Sequence, residues 1–236
     1  MRMKKKQQIC TILLVTLIFV IVASGCKKDD DDSIVKDGDG NIYQTVTIGT
    51  QVWLKENLKT TKYNDGSSMH LITDKTEWRN AISEAYCWFD NDITNKESFG
   101  ALYNWYAVNT GKLCPKGWHV PTDTEWAELI TFLGGKSVAG GKLKATGTIE
   151  GGNGLWHHPN VATNETGFSA LPGGFRQETG SYDFNGKNWA GFWWTSNDYS
   201  SNTIHSFQMN YDESSIEYGY LGSSKNLGFS VRCLKD

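Results

Sequence analysis

The segment Pro121-Thr122-Asp123-Thr124-Glu125 constrains this chain more tightly than any other. The Thr122 hydroxyl can accept the amide hydrogen of Glu125 while the Glu125 carboxylate reaches back to Thr122, a capping box that satisfies two of the donors a helix start leaves open. Trp126, Leu129, Ile130 and Leu133 then fall on one stripe, and Gly134-Gly135 ends the run, so a helix is predicted over 122–133. Leu102, Trp105 and Tyr106 share an i, i+3, i+4 face within 101–108 and predict a second main helix, ended by Gly111. A shorter helix is predicted from Asp74, with Glu77 three residues on, through Ile82.

Elsewhere the pattern is that of strands. Ile42, Val46 and Ile48 alternate with Tyr43, Thr45 and Thr47, and Gln51-Val52-Trp53-Leu54 resumes after Gly49-Thr50, which predicts a hairpin. Tyr86-Cys87-Trp88-Phe89 is compatible with another strand. The last hundred residues are rich in Gly, Asn, Ser and aromatics, with short apolar stretches at 167–171, 192–195, 205–209 and 228–234 that read as short strands between long loops. The fold class is therefore α+β. No Pro-rich linker, charge block or internal repeat divides the chain after Ile34, and one domain over 37–236 is expected.

The N-terminus carries an address. Basic residues 1–8 precede the uncharged apolar run 9–23, too short for the roughly 20 residues a spanning helix needs and suited to a secretory signal over 1–25. Ala23-Ser24-Gly25-Cys26 resembles the lipobox of bacterial lipoproteins, in which the cysteine is lipidated and becomes the new N-terminus. That implies a membrane partner held through a lipid on Cys26, since each buried methylene contributes about 0.8 kcal/mol. Lys27-Lys28-Asp29-Asp30-Asp31-Asp32-Ser33 lacks any apolar residue and begins a solvated tether over 26–36. A Lys followed by acids just after such a cysteine resembles the export signal for the outer face of the outer membrane in Bacteroidetes, with a spacer on a periplasm-facing lipoprotein as the alternative. Beyond residue 25 the chain has 19 basic against 26 acidic groups, and an acidic body excludes a phosphate-backbone reader, so no nucleic-acid partner is expected.

Several ordered motifs then carry a family resemblance. Asp39-Gly40-Asn41-Ile42-Tyr43, the run from Thr47 through Gln51-Val52-Trp53-Leu54 to Asn57-Leu58, Gly100-Ala101-Leu102-Tyr103-Asn104-Trp105 and Cys114-Pro115-Lys116-Gly117-Trp118-His119-Val120-Pro121-Thr122 resemble the Fibrobacter succinogenes major paralogous (FISUMP) domain. So do Gly167-Phe168-Ser169-Ala170-Leu171-Pro172-Gly173-Gly174 and Ser230-Val231-Arg232-Cys233. The resemblance implies a C-type-lectin-like fold, shared with formylglycine-generating enzymes: two main helices against short antiparallel sheets, long loops and paired terminal strands. It implies fold and address without an activity. It also implies a disulfide between Cys114 and Cys233, like the bridge from helix to last strand in C-type-lectin-like domains; a Cys87–Cys114 bond and three reduced thiols stay open.

The candidate chemistry is recognition. Asp37-Gly38-Asp39-Gly40-Asn41 copies the start of a calcium loop, but Ile42 and Ile48 stand where the loop needs Gly and a bidentate carboxylate, so it reads as a turn. Asn197 and Asp198, after Trp193-Trp194, resemble the calcium-coordinating strand of true C-type lectins, whose partner tripeptides are absent here. No cofactor is expected, and calcium at that pair is the one ion kept open. Ten Trp offer flat rings for the apolar face of a sugar. Trp53, Trp105, Trp118 and Trp126 belong to periodic patterns and read as core, whereas Trp156, Trp189 and Tyr182 lie in Gly- and Asn-rich loops and read as exposed. His157-His158 has no ligand at metal spacing, and no nucleophile elbow or Cys–His pairing appears. The reading is an outer-membrane, surface-exposed lipoprotein acting as a binding or adhesion module for a glycan or a cell-surface protein, with Trp156, Trp189, Trp194, Asn197 and Asp198 as contacts. The alternatives are an enzyme like the formylglycine-generating enzymes, using Cys87 or Cys233, and a structural envelope component.

Overall fold

In the computed structural model residues 34–200, 203–219 and 224–236 are described; the side chains of 197–200 and 203 lie outside that description, as do the expected signal and Cys26. Strand β1 (Val35–Lys36) pairs antiparallel with β2 (Ile42–Tyr43) across a turn organised by Asp37. Asp37 Oδ1 accepts the amide hydrogens of Asp39 and Asn41 at 2.9 and 3.0 Å, and Oδ2 accepts from the Tyr43 hydroxyl at 2.5 Å, the local bonding that makes Asp a turn residue. The hairpin follows as β3 (Thr45–Ile48) and β4 (Gln51–Leu54), in register from Thr45↔Leu54 to Ile48↔Gln51, with Gly49 at φ 63° in the turn. Ile42 and Tyr43 do not extend the hairpin, because the inward Tyr43 is held on the Asp37 turn.

Strands β5 (His70–Leu71), β6 (Ala85–Cys87) and β7 (Leu102–Tyr103) form a three-stranded sheet in that order. Helix α1 (Lys75–Arg79) starts where predicted, with Asp74 accepting from the Glu77 amide at 2.8 Å. It stops at Arg79 rather than Ile82, because Asn226 Nδ2 donates to the carbonyls of Trp78, Arg79 and Ala81 at 2.9, 2.8 and 2.8 Å. Short α2 (Lys96–Phe99) leads to β7. The predicted helix over 101–108 is corrected: Leu102 and Tyr103 pair with Cys87 and Tyr86, and only α3 (Trp105–Val108) is helical, capped by Asn104. Leu102 and Trp105 are buried in either conformation, so three apolar residues could not discriminate between them.

After β8 (Trp118–His119), α4 (Asp123–Phe132) forms with its capping box complete: Thr122 Oγ1 accepts from the Glu125 amide at 3.2 Å and Glu125 Oε2 from the Thr122 amide at 2.8 Å. The second long helix is α5 (Lys136–Leu143), not the one expected at 101–108. Its Gly140-Gly141 pair lowers helix propensity but is required by packing, since a Cβ on Gly140 would lie 2.0 Å from the Ser215 carbonyl oxygen. Strands β9 (Gly173–Arg176), β10 (Phe184–Lys187), β11 (Ala190–Ser200), β12 (Thr203–Asn210) and β13 (Glu217–Tyr218) form a sheet ordered β10-β9-β11-β12-β13, built on the antiparallel β11–β12 pair. The expected stretches 167–171 and 228–234 appear mainly as isolated bridges such as Lys144↔Ala170 and Tyr103↔Phe229. Finally β14 (Leu234–Lys235) lies between β4 and β8, with Leu234 opposite both Trp53 and His119, so the last strand closes onto the first hairpin. The result is a mixed α+β architecture in which sheets dominate over helices.

Aromatic rings fill the core between α4 and the sheets. Trp53 and Trp126 stand 4.9 Å apart by ring centroid, Phe207 lies 5.2 Å from Trp126, and Phe168 lies 5.6 Å from Trp53, all fully buried. Each buried Trp removes about 150–250 Å² from water, an upper bound of about 4–6 kcal/mol per ring. A Cys114–Cys233 disulfide spans 119 residues and fastens the segment before α4 to the last strand. The chain-entropy argument assigns it about 4–5 kcal/mol.

A loop-rich domain leaves many carbonyls without ladder partners, and three buried cations take them up. Arg232 Nη1 donates to Leu54, Lys55 and Phe168 carbonyls at 3.1, 2.6 and 2.7 Å. Arg176 donates to Ile72, Thr73 and Asp74 carbonyls at 2.5, 3.0 and 3.2 Å, its guanidinium 4.5 Å from the Trp78 ring. Lys144 Nζ donates to Asn210, Tyr211 and Glu213 carbonyls at 2.6, 3.0 and 2.7 Å. Burial pushes Lys144 down to about 8 and Arg232 down to about 9.

Candidate functional site

The ten tryptophans divide sharply. Nine are no more than 8% exposed, whereas Trp189 keeps 48% of its surface in solvent. Trp189 is therefore the one indole whose face is open to a ligand from solution.

Trp189 sits in the connection between β10 and β11, where Asn188 adopts φ 70°, a left-handed conformation that Asn tolerates better than most residues. Asn188 Nδ2 donates to the Leu155 carbonyl at 2.7 Å, and the Asn188 carbonyl accepts from the His157 amide at 2.9 Å. The Trp189 carbonyl accepts from the Tyr211 amide at 2.9 Å. Three segments around residues 157, 189 and 211 are thus tied by their own backbones. Lys144 fixes the Tyr211 segment from beneath through the 210, 211 and 213 carbonyls.

The side chains complete the platform. The His157 ring stacks on Trp189 with centroids 4.0 Å apart at 36°, and Tyr211 meets Trp189 edge-on at 4.8 Å and 87°. Glu150 Oε1 lies 2.6 Å from His157 Nδ1, and Glu150 Oε2 accepts from the His158 amide at 2.9 Å. The hydrogen bond from His157 holds the Glu150 carboxyl down to about 2, so it is a carboxylate throughout the physiological range. With Glu150 a carboxylate, the hydrogen on His157 Nδ1 is the one donated in that contact. A flat apolar ring is thereby flanked by the His157 and Tyr211 rings, with the Glu150 carboxylate on the far side of His157, an arrangement that suits a ligand with C–H faces and hydroxyl edges.

The other expected contacts fare differently. Trp156 is fully buried, because its indole N–H donates to the Ala170 carbonyl at 3.0 Å and its ring lies 5.2 Å from Lys144 Nζ; the loop composition around it misplaced it at the surface. Trp194 is also fully buried, with its N–H on the Tyr103 carbonyl at 2.7 Å and Phe229 at 4.4 Å, so neither ring can touch a ligand. Asn197 and Asp198 lie in β11, but their side chains are outside the described residues. Tyr182 is 74% exposed, as its loop position predicts. Among the described residues no group of three or more His, Cys, Asp or Glu side chains could hold a metal ion. Nor is any described helix long and apolar enough to cross a membrane. Cys87 is fully buried, which pushes its thiol up to about 12, and Cys233 is in the disulfide, so neither presents a thiolate at neutral pH.

Tyr211, Glu150 and Lys144 escaped the sequence reading. Glu150 lies seven residues before His157, too far for a local motif, and Lys144 and Tyr211 reach the site only through the fold. The sequence matches the Fibrobacter succinogenes major domain over residues 46–235. Comparison with curated proteins and with solved structures returns no match.

Proposed function

Since the chain belongs to the Fibrobacter succinogenes major domain family, we propose that it is an outer-membrane lipoprotein whose C-type-lectin-like domain binds glycans at the cell exterior through the Trp189 platform. Cys26 carries the lipid, residues 27–33 hold the domain off the bilayer, and the acidic run after Cys26 directs it to the outer face. The tether expected over 26–36 is shorter at its far end, because Val35 is buried in the core and Val35–Lys36 pair with β2. Two features support the C-type-lectin-like assignment: the last strand, β14, pairs with the first hairpin, and the disulfide ties the segment before α4 to residue 233.

The observation that carries the binding reading is the single exposed indole, fixed by His157 and Tyr211 on a braced set of loops. Stacking on such a ring costs little reorganisation, because the platform is already ordered by backbone hydrogen bonds. A glycan array probed with wild type and with Trp189→Ala, each in calcium and in chelator, tests this. Wild type should bind a subset of glycans in both conditions, and Trp189→Ala should lose at least tenfold in affinity. Binding lost only on chelation would move the site to Asn197 and Asp198. Silence from folded protein would overturn the glycan reading and favour a protein ligand.

A further inference from the structure

A second concavity lies on different residues, where the chain enters the domain. Lys36, Asp37, Asn64, Pro115, Lys116 and Trp118 contribute to a cleft of about 390 Å³, at the small end of the roughly 300–1,000 Å³ typical of ligand sites. Its walls are fixed. Trp118 is paired into the sheet beside β14, Pro115 follows the bridged Cys114, and Asn64 Nδ2 donates to the Cys114 carbonyl at 3.1 Å.

The two cations of this cleft have no carboxylate partner among the described residues. Lys59, Lys75, Lys112 and Lys142 each pair with a carboxylate within 3.0 Å, whereas Lys36 and Lys116 contact no acidic group among the described residues. Asp37, the one acid in the lining, is committed to the amides of Asp39 and Asn41, the Asn41 side chain and the Tyr43 hydroxyl. The lining thus carries one net positive charge, with two ammonium groups free to donate. The Trp118 indole N–H has no acceptor among the described residues, and Asn64 has a carboxamide oxygen left for a hydroxyl.

We propose that this cleft binds an acidic saccharide, a sugar ring bearing one carboxylate, with Lys36 and Lys116 on the carboxylate and Trp118 and Asn64 on hydroxyls. A monoanion balances the lining charge, and Pro115 offers the apolar surface that a bare inorganic anion would not use. The site is independent of the Trp189 platform, so either can fail alone. The test is titration of the full chain with glucuronate and with glucose, read by ligand-observed NMR. Glucuronate should bind at least tenfold more tightly than glucose, and the Lys36→Ala, Lys116→Ala double variant should lose at least tenfold for glucuronate. Trp189→Ala should leave that binding unchanged. Equal affinity for both sugars, binding that survives the double variant, or no binding of glucuronate would overturn the proposal. Both lysines are exposed, and an unchanged melting temperature verifies that the double variant is folded.

Discussion

Asn57 offers the sharpest test of how this loop-rich domain is held together. It is 3% exposed, and its Oδ1 accepts from Trp193 Nε1 at 2.9 Å and from Arg232 Nη2 and Nε at 3.0 and 3.3 Å. Its Nδ2 donates to the Phe99 carbonyl at 2.8 Å and approaches Ser230 Oγ at 3.3 Å. In Asn57→Ala the Trp193 N–H, the Phe99 carbonyl and one edge of the Arg232 guanidinium all lose their partner away from water. A buried polar group left unmade costs about 1–3 kcal/mol, more when charged, so the three together cost about 3–9 kcal/mol. A domain of this size is stable by about 10–30 kcal/mol at most, with typical domains at 5–15, so the loss is a large share of the total. Asn57→Asp keeps the acceptor and adds a charge for Arg232, but sets a carboxylate oxygen against the Phe99 carbonyl, and its loss should be smaller. Guanidinium chloride unfolding, with the slope checked between variants, measures both. A change under about 1 kcal/mol for Asn57→Ala would refute the hub.

Two further perturbations bear on the scaffold. Reducing the Cys114–Cys233 bond should remove about 4–5 kcal/mol and lower the melting temperature by about 8–20 °C, while Cys87, buried and with its thiol pushed up to about 12, should resist a thiol reagent until the domain unfolds. His119 lies 2.7 Å from Asp236 and 2.9 Å from Glu125; burial alone would lower its pKa, but these hydrogen bonds raise it above 6.5. A raised histidine stabilises the fold fully below its unfolded pKa and loses that contribution as pH rises through the folded one. The melting-temperature advantage of wild type over His119→Gln should therefore be larger at pH 6 than at pH 8, and the reverse order would contradict the assignment.

What could be read in the sequence was what neighbours in sequence decide. The capping box at Thr122 and Glu125, the turn at Gly49 and the Asp74 cap each involve residues within a few positions, and each formed. Leu102 was misread because its helical spacing to Trp105 is overruled by pairing with Cys87. Helix α5 was missed because Gly140 and Gly141 argue against a helix until Ser214 and Ser215 are seen packed on them. Trp156 shows the same limit at the site. Gly- and Asn-rich surroundings indicate a loop and loops are usually exposed, yet the Ala170 carbonyl and Lys144 draw this ring inward. Trp189, in an equally polar stretch, stayed outside with His157 and Tyr211 beside it. The carbonyl clasps of Lys144, Arg176 and Arg232 join residues some 60 to 180 positions apart, a distance no local pattern spans.

Because nine tryptophans are buried, quenching by acrylamide should report on Trp189 almost alone. Wild type should show one readily quenched tryptophan in ten, a component that Trp189→Ala removes and that a glycan selected on the array protects in a saturable way. A neutral glycan that binds with full affinity while leaving that component fully quenchable would contradict the account, because it would be resting somewhere other than on the exposed indole.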